Sequence, residues 1–196
     1  NFISKILMCG IFGLVFNSNK PLNDKFAKSF IDKLFLYSET RGREAAGIAI
    51  RYDSKIEIMN KACSPSEFTK NIKYKNLLNN LFLKNKKNFS IVGHSRLVTN
   101  GFQFDAKNNQ PIIIPGLIGV HNGIITNEEE LLASHKDIQL NSDVDSEILF
   151  KILKGNLDDS QNQIDYSVSK TFSEIKGSAS IATYINQNPN LILATN

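Results

Sequence analysis

Cys9-Gly10-Ile11-Phe12-Gly13, lying directly behind Met8, is the stretch from which the rest of this chain is read. A methionine ahead of a residue as small as cysteine is normally removed after synthesis, so with Met8 as initiator Cys9 becomes the amino terminus. A cysteine in that position carries its own base. Its α-amine, with an unperturbed pKa of about 7.7–8.0, can take the proton of a thiol of about 8.5, directly or through one water. The same five residues also read as a buried first strand with a small, soft core side chain. On this stretch alone both readings stand.

Composition narrows the class. With 196 residues, 41% hydrophobic and 21% charged, the chain has enough apolar material for one sizeable core and one globular domain is expected. It has no apolar run of the roughly 20 residues that span a bilayer, and residues 1–8 are too short for a secretory signal, so no membrane partner is expected. Cys9 and Cys63 are the only cysteines. That argues against a disulfide framework and for a reducing, cytoplasmic setting, with Cys63 a bystander thiol near a helix start. The net charge of +4 would mark a nucleic-acid partner only if clustered. The dense stretch from Lys70 to Lys87 is interrupted by Leu77, Leu78, Leu81 and Phe82 at helical spacing. It reads as an amphipathic helix with a solvated lysine face, and no nucleic acid is expected. Three scattered histidines and no paired Cys or His spacing indicate no metal and no cofactor.

Apolar periodicity and turn residues predict strands over 10–16, 47–52, 55–59, 89–94, 112–121, 178–185 and 190–195. Asp53-Ser54 joins the second and third, and Pro115-Gly116 punctuates the fifth. Helices are predicted over 23–37, with Phe26, Phe30, Ile31, Leu34 and Phe35 on one face, and over 64–83, 144–153 and 164–175. Asn127 is expected to cap a short helix by accepting from its freed amides. Strand pairs bracketed by helices suggest stacked layers, two sheets between helices.

Four further segments carry chemistry: Thr40-Arg41-Gly42-Arg43-Glu44-Ala45-Ala46-Gly47-Ile48, Gly93-His94-Ser95-Arg96-Leu97-Val98-Thr99-Asn100-Gly101, His121-Asn122-Gly123-Ile124-Ile125-Thr126-Asn127, and Asp143-Val144-Asp145-Ser146-Glu147. With the Cys9 stretch they resemble, in order and spacing, the glutaminase domain of class II glutamine amidotransferases, the N-terminal-nucleophile group. The resemblance runs from Cys9 to Asn196. Arg41-Gly42-Arg43-Glu44-Ala45-Ala46-Gly47-Ile48 and Asn109-Gln110-Pro111 are similar to the amidophosphoribosyltransferase branch, and the His121 segment to glucosamine-6-phosphate synthase. The resemblance implies an α+β fold, a four-layer αββα sandwich. It makes residues 1–8 a leader or propeptide and 9–196 the glutaminase domain, cut before a synthase domain.

It also implies roles. Cys9 attacks the side-chain amide of glutamine, giving glutamate and ammonia through a thioester. The oxyanion is met by the Asn122 amide and the Gly123 N–H, although Asn-Gly is equally a leading hairpin-turn signal. Arg96 forks onto the substrate carboxylate, a geometry lysine lacks, and Asp145 takes the ammonium, with Thr99 lining the same pocket. The structural alternatives are a strand-end charge for Arg96 and an early-helix acid for Asp145, a task for which Asp143 is the better candidate. Arg41 and Gly42 pack beside the nucleophile, with Arg41 expected on buried carbonyls, and His94 is a structural histidine. Glu44 and Ala45 replace the family's aspartate and its serine or alanine. Leu97 stands where the sugar-phosphate synthases have tryptophan, so an ammonia-channel gate must differ, and Asn100 replaces a family histidine. The implied partners are L-glutamine and a synthase domain or subunit that accepts ammonia, with a homo-oligomer among the assemblies the resemblance admits. While residues 1–8 remain attached, the Cys9 nitrogen is an amide and cannot accept a proton. The alternative is therefore a catalytically silent glutamine-binding or assembly module with the leader retained.

Overall fold

The computed structural model describes residues 9–17, 23–83, 88–98, 101–186 and 188–196. They fall into two compact units, the first running to Val98 and including Asn109–Pro111, the second taking 101–108 and Ile112–Asn196. Where composition suggests one core there are two, because each unit covers its own antiparallel sheet with its own helices.

The first unit contains β1 (Gly10–Asn17), α1 (Asp24–Ser38), β2 (Ala45–Tyr52), β3 (Lys55–Lys61), α2 (Pro65–Phe68), α3 (Ile72–Leu83) and β4 (Asn88–Arg96). Its sheet has the order β1-β4-β2-β3, with Gly10 opposite Ser95 and Ala45 opposite Arg96. Asn23 starts α1 by accepting from the Phe26 amide at 3.0 Å. The buried stripe is Ala27, Ile31 and Phe35, whereas Phe26 is 66% exposed and stacks on Phe30 outside the core. The apolar face expected from the sequence therefore holds at Ile31 and Phe35 and fails at Phe26 and Phe30, because the i, i+4, i+8 set that is buried starts at Ala27. Residues 64–83 are two helices rather than one. A Ser64–Glu67 capping box opens α2, and the Asn71 side-chain oxygen Oδ1 then accepts from the Lys73 amide at 2.9 Å, capping a fresh start. Tyr74, Leu78, Leu81 and Phe82 of α3 are buried, as the lysine-faced helix requires.

The second unit contains β5 (Ile112–Ile114), β6 (Leu117–Ile125), α4 (Glu128–Ser134), α5 (Asp145–Asp159), α6 (Ile164–Glu174), β7 (Gly177–Ile185) and β8 (Leu191–Thr195). The sheet is a meander, β5-β6-β7-β8. Leu117, Ile125, Ala179 and Ile181 join Ile148, Leu149 and other buried residues of α5 in one cluster, which sets the odd-numbered face of β6 and β7 toward the helices. Two expectations change here. Strand β6 runs on past His121, so Asn122-Gly123 is not a turn but mid-strand, paired with Ser180 and Ala179. Asn127 precedes α4 without capping it. Its side chain instead accepts from the Lys176 amide at 2.7 Å and donates to the Glu174 carbonyl at 3.0 Å, tying the entry of α4 to the exit of α6.

The two units together supply two helix layers and two sheet layers, an α+β fold. No helix among the described residues is long and apolar enough to cross a membrane.

Candidate active site

In the first unit the sulfur of Cys9 meets the end of β4. The Leu97 amide donates to Cys9 Sγ at 3.3 Å, and the thiol lies 3.5 Å from the Leu97 carbonyl. It is the main chain of Leu97 that touches the sulfur, so leucine in place of the family tryptophan leaves this contact intact. Gly42 explains how the Leu97 peptide is placed. A Cβ built on Gly42 would stand 2.2 Å from the Arg96 carbonyl carbon and 2.5 Å from the Leu97 nitrogen, so only glycine lets the chain pass so close. The Glu44 amide adds a bond to the Arg96 carbonyl at 3.1 Å.

Arg96 is 4% exposed and donates from Nη1 to Asn109 Oδ1 at 2.9 Å. Burial pulls its guanidinium down from the ordinary value, while the Cys9 thiol and the Glu44 carboxylate draw it back up. The result is a buried guanidinium that interacts electrostatically with Cys9. Asn109 is held in turn through its carbonyl, which accepts from Asn60 Nδ2 at 3.1 Å. This excludes the strand-end surface charge as the reading of Arg96. Arg41 is exposed and Gly42 buried. His94 is fully buried on β4. Cys63 is a free thiol whose pKa is pushed up by burial and by Glu67, against Lys61, and nothing in this makes it a nucleophile.

In the second unit Asn122 and Gly123 sit near the end of β6. The Asn122 carbamoyl oxygen is buried and has no hydrogen-bond partner among the described residues, so the fold does not use it. Gly123 is required by close approach: a Cβ there would lie 1.9 Å from the Ser178 carbonyl oxygen and 2.8 Å from His121 Nε2. Asp145, the first residue of α5, accepts from the Ile125 amide at 2.9 Å, two residues beyond Gly123. No lysine or arginine among the described residues pairs with it. Burial first, then the charges of Asp145 and Glu129, push the Glu128 carboxyl above its ordinary value. A carboxylate that crowds another acid and lacks a cation suits an incoming ammonium. Asp143 exchanges two hydrogen bonds with the Asn108 side chain, at 2.9 and 3.1 Å, and lies before the N-cap of α5 rather than in its first turn, so the early-helix acids are Asp145 and Glu147.

Cys9 and Arg96 are thus brought together in the first unit, and Asn122, Gly123 and Asp145 in the second. Thr99 and Asn100 lie outside the described residues, as do residues 1–8. The sequence reading missed Asn109 as the holder of Arg96, and the only signal for it was an Asn-Gln-Pro triplet noted for another reason. It also missed Ser146, which lies 2.9 Å from His121 Nδ1.

A family profile described as a glutamine amidotransferase domain matches residues 94–196. Among curated proteins, the chain is 29% identical over 188 residues to a glutamine–fructose-6-phosphate aminotransferase (isomerizing) of Shouchella clausii, covering 94% of this chain and 28% of that one. It is 30% identical over 177 residues to the protein of the same name from Helicobacter pylori, covering 89% and 27%. The chain therefore spans little more than a quarter of the length of these relatives. Among solved structures, the glutamine phosphoribosylpyrophosphate amidotransferase of B. subtilis, complexed with ADP and GMP, aligns with a TM-score of 0.62 at 19% identity, over 95% of this chain and 37% of that one. A structure of the allosteric regulatory enzyme of purine biosynthesis aligns with a TM-score of 0.67 at 18% identity and the same coverage. The fold is shared with both.

Proposed function

Because the chain belongs to the glutamine amidotransferase domain family, we propose that it hydrolyses the side-chain amide of glutamine to glutamate and ammonia with Cys9 as nucleophile. In the active form Cys9 is the first residue, and its α-amine takes the thiol proton. The thiolate adds to the carboxamide carbon, and the negative oxygen is met by the Asn122 side-chain amide and the Gly123 N–H. The intermediate collapses with loss of ammonia, which leaves with the proton held by the α-amine. Water then cleaves the thioester to glutamate and frees the thiol. Arg96 holds the substrate carboxylate, Asp145 its ammonium, and Thr99 lines the pocket. The ammonia passes to a synthase domain or partner, in keeping with relatives whose names pair glutamine with an acceptor.

The observation that carries this reading is the seat of the Cys9 sulfur, 3.3 Å from the Leu97 amide at the end of the strand that carries the buried Arg96. It is tested with protein that begins at Cys9. Such protein should release ammonia from glutamine, and a diazo-ketone glutamine analogue should label Cys9 and leave Cys63 untouched, as read by mass spectrometry. Cys9→Ala should abolish turnover in a folded protein. Full glutaminase activity with residues 1–8 still attached would refute the α-amine mechanism and point to another base.

A further inference from the structure

His121 stands immediately before Asn122, yet its side chain is on the opposite face of β6, toward α5. It is 2% exposed, and Ser146, which its Nδ1 meets at 2.9 Å, is equally buried. Burial pushes the imidazole below its ordinary pKa, against the Asp145 charge and the Ser178 carbonyl, so the ring is neutral. A neutral imidazole donates from one nitrogen and accepts at the other. The Ser178 carbonyl and His121 Nε2 both crowd the place that a Cβ on Gly123 would take, and the Ser146 hydroxyl lies within reach of both His121 Nδ1 and, at 3.5 Å, Asp145 Oδ1. Ser146 neighbours Asp145, whose carboxylate holds the Ile125 amide at 2.9 Å. Two polar links, one on each side of Asn122-Gly123, therefore tie the same short run of β6 to the first turn of α5.

We infer that His121 and Ser146 are positioning residues that lock Asn122-Gly123 to the helix carrying Asp145, so that substrate recognition and oxyanion stabilisation ride on one rigid piece. The inference rests on the roles proposed above for Asn122, Gly123 and Asp145. Its physical content is geometric. Oxyanion donors act only if they already point at the oxygen when charge develops, and a small misplacement there costs rate without costing ground-state affinity. A histidine present only to fill the core would affect stability and leave the division between kcat and KM alone.

The experiment uses Ser146→Ala, which removes one oxygen at a helix start where alanine is tolerated. In protein that begins at Cys9, kcat for glutamine should fall about tenfold while KM moves less than about twofold, the split expected of a transition-state donor moved out of line. Ser146→Thr, which restores the hydroxyl, should recover most of the rate. Combining Ser146→Ala with His121→Phe should cost no more than the worse single change, because both break the same link. Amide hydrogen exchange supplies a readout independent of turnover: Ser146→Ala should speed exchange at Gly123 and Ile125 and leave β8 as it was. Parental kcat and exchange in folded Ser146→Ala would overturn the inference, as would a loss of stability with kcat unchanged. If the parent protein itself fails to release ammonia, the proposed function falls, and the exchange result still decides whether the lock exists.

Discussion

The two units hold their candidate residues by different means. In the first, Cys9, the proposed nucleophile, is met by main chain held against main chain: the Leu97 amide on the sulfur, Gly42 pressed on the Arg96–Leu97 peptide, and the Glu44 amide on the Arg96 carbonyl. In the second, side chains do the holding: Asp145 on the Ile125 amide, His121 on Ser146, and Glu147 on the loop before α5. A site built from close backbone approach is vulnerable to added bulk, because backbone cannot swing aside as a side chain does. A site built from side-chain hydrogen bonds is vulnerable to deleted atoms and to pH. The contrast therefore predicts which changes each unit will tolerate.

The largest effect should come from Asn122, the side-chain amide proposed to meet the oxyanion, whose buried oxygen has no hydrogen-bond partner among the described residues. Asn122→Ala should lower kcat by about 10²–10³, the loss typical of one oxyanion donor, while KM and the unfolding midpoint stay close to those of the parent. Steady-state kinetics beside a denaturant titration will read both. A large loss of stability would show that Asn122 belongs to the framework after all, and the contrast between the units would weaken.

Next in size is Gly42→Ala, which adds a single carbon in the first unit. The main chain it meets must move by an ångström or so, taking with it the amide that faces the Cys9 sulfur. A misplacement of that order costs about 10² in rate. Here stability should fall together with kcat/KM, unlike at Asn122. A folded Gly42→Ala protein with parental activity would mean that the Leu97 peptide does not set the nucleophile.

These two residues also mark how far the sequence could be read. Strand and helix positions followed from period and turn residues because each sheet has one face packed on helices, and the alternation survives in the chain. On α1 the apolar pattern gives Ile31 and Phe35 correctly, but it ranks the exposed Phe26 and Phe30 above the smaller Ala27, which is the residue that is buried. The Asn122-Gly123 pair reads locally as a turn. It is a strand because Ser180 and Ala179, nearly sixty residues later, pair with it, and no local rule can see that. Asn127 was placed correctly at the head of α4 and given the wrong partner for the same reason, since Lys176 is remote in sequence. Cys9, Arg96 and Asp145 stand out in the sequence through the motifs around them, and their roles remain those proposed above. Asn109 and Ser146 were not, because a residue that orients another has no signature of its own.

The smallest effect separates the units by pH. Glu147 is 4% exposed and accepts from the Asn141 and Ser142 amides at 3.0 and 2.7 Å, from the Ser142 hydroxyl, and from Lys151 at 2.9 Å. Burial works to raise its carboxyl, but these donors outweigh it and hold the pKa below the ordinary value. A carboxyl depressed in the fold stabilises fully above its unfolded-state pKa of about 4.3, and that contribution is lost as pH falls through the lower folded value. Glu147→Gln keeps the shape and removes the charge, so it should cost about 1.5–3 kcal/mol near pH 7, the worth of hydrogen bonds to a charged group. The difference between variant and parent should shrink steadily below about pH 4.3 and close once Glu147 is protonated in the parent too. Denaturant unfolding at a series of pH values measures this, with hydrogen exchange to place it. Protection should fall in the helices of the second unit and hold in β1 and β4 of the first. A difference that stays constant from pH 7 to pH 3 would mean that Glu147 acts by shape alone, and that the loop leading to Asp145 is held, like the nucleophile, by packing rather than by charge.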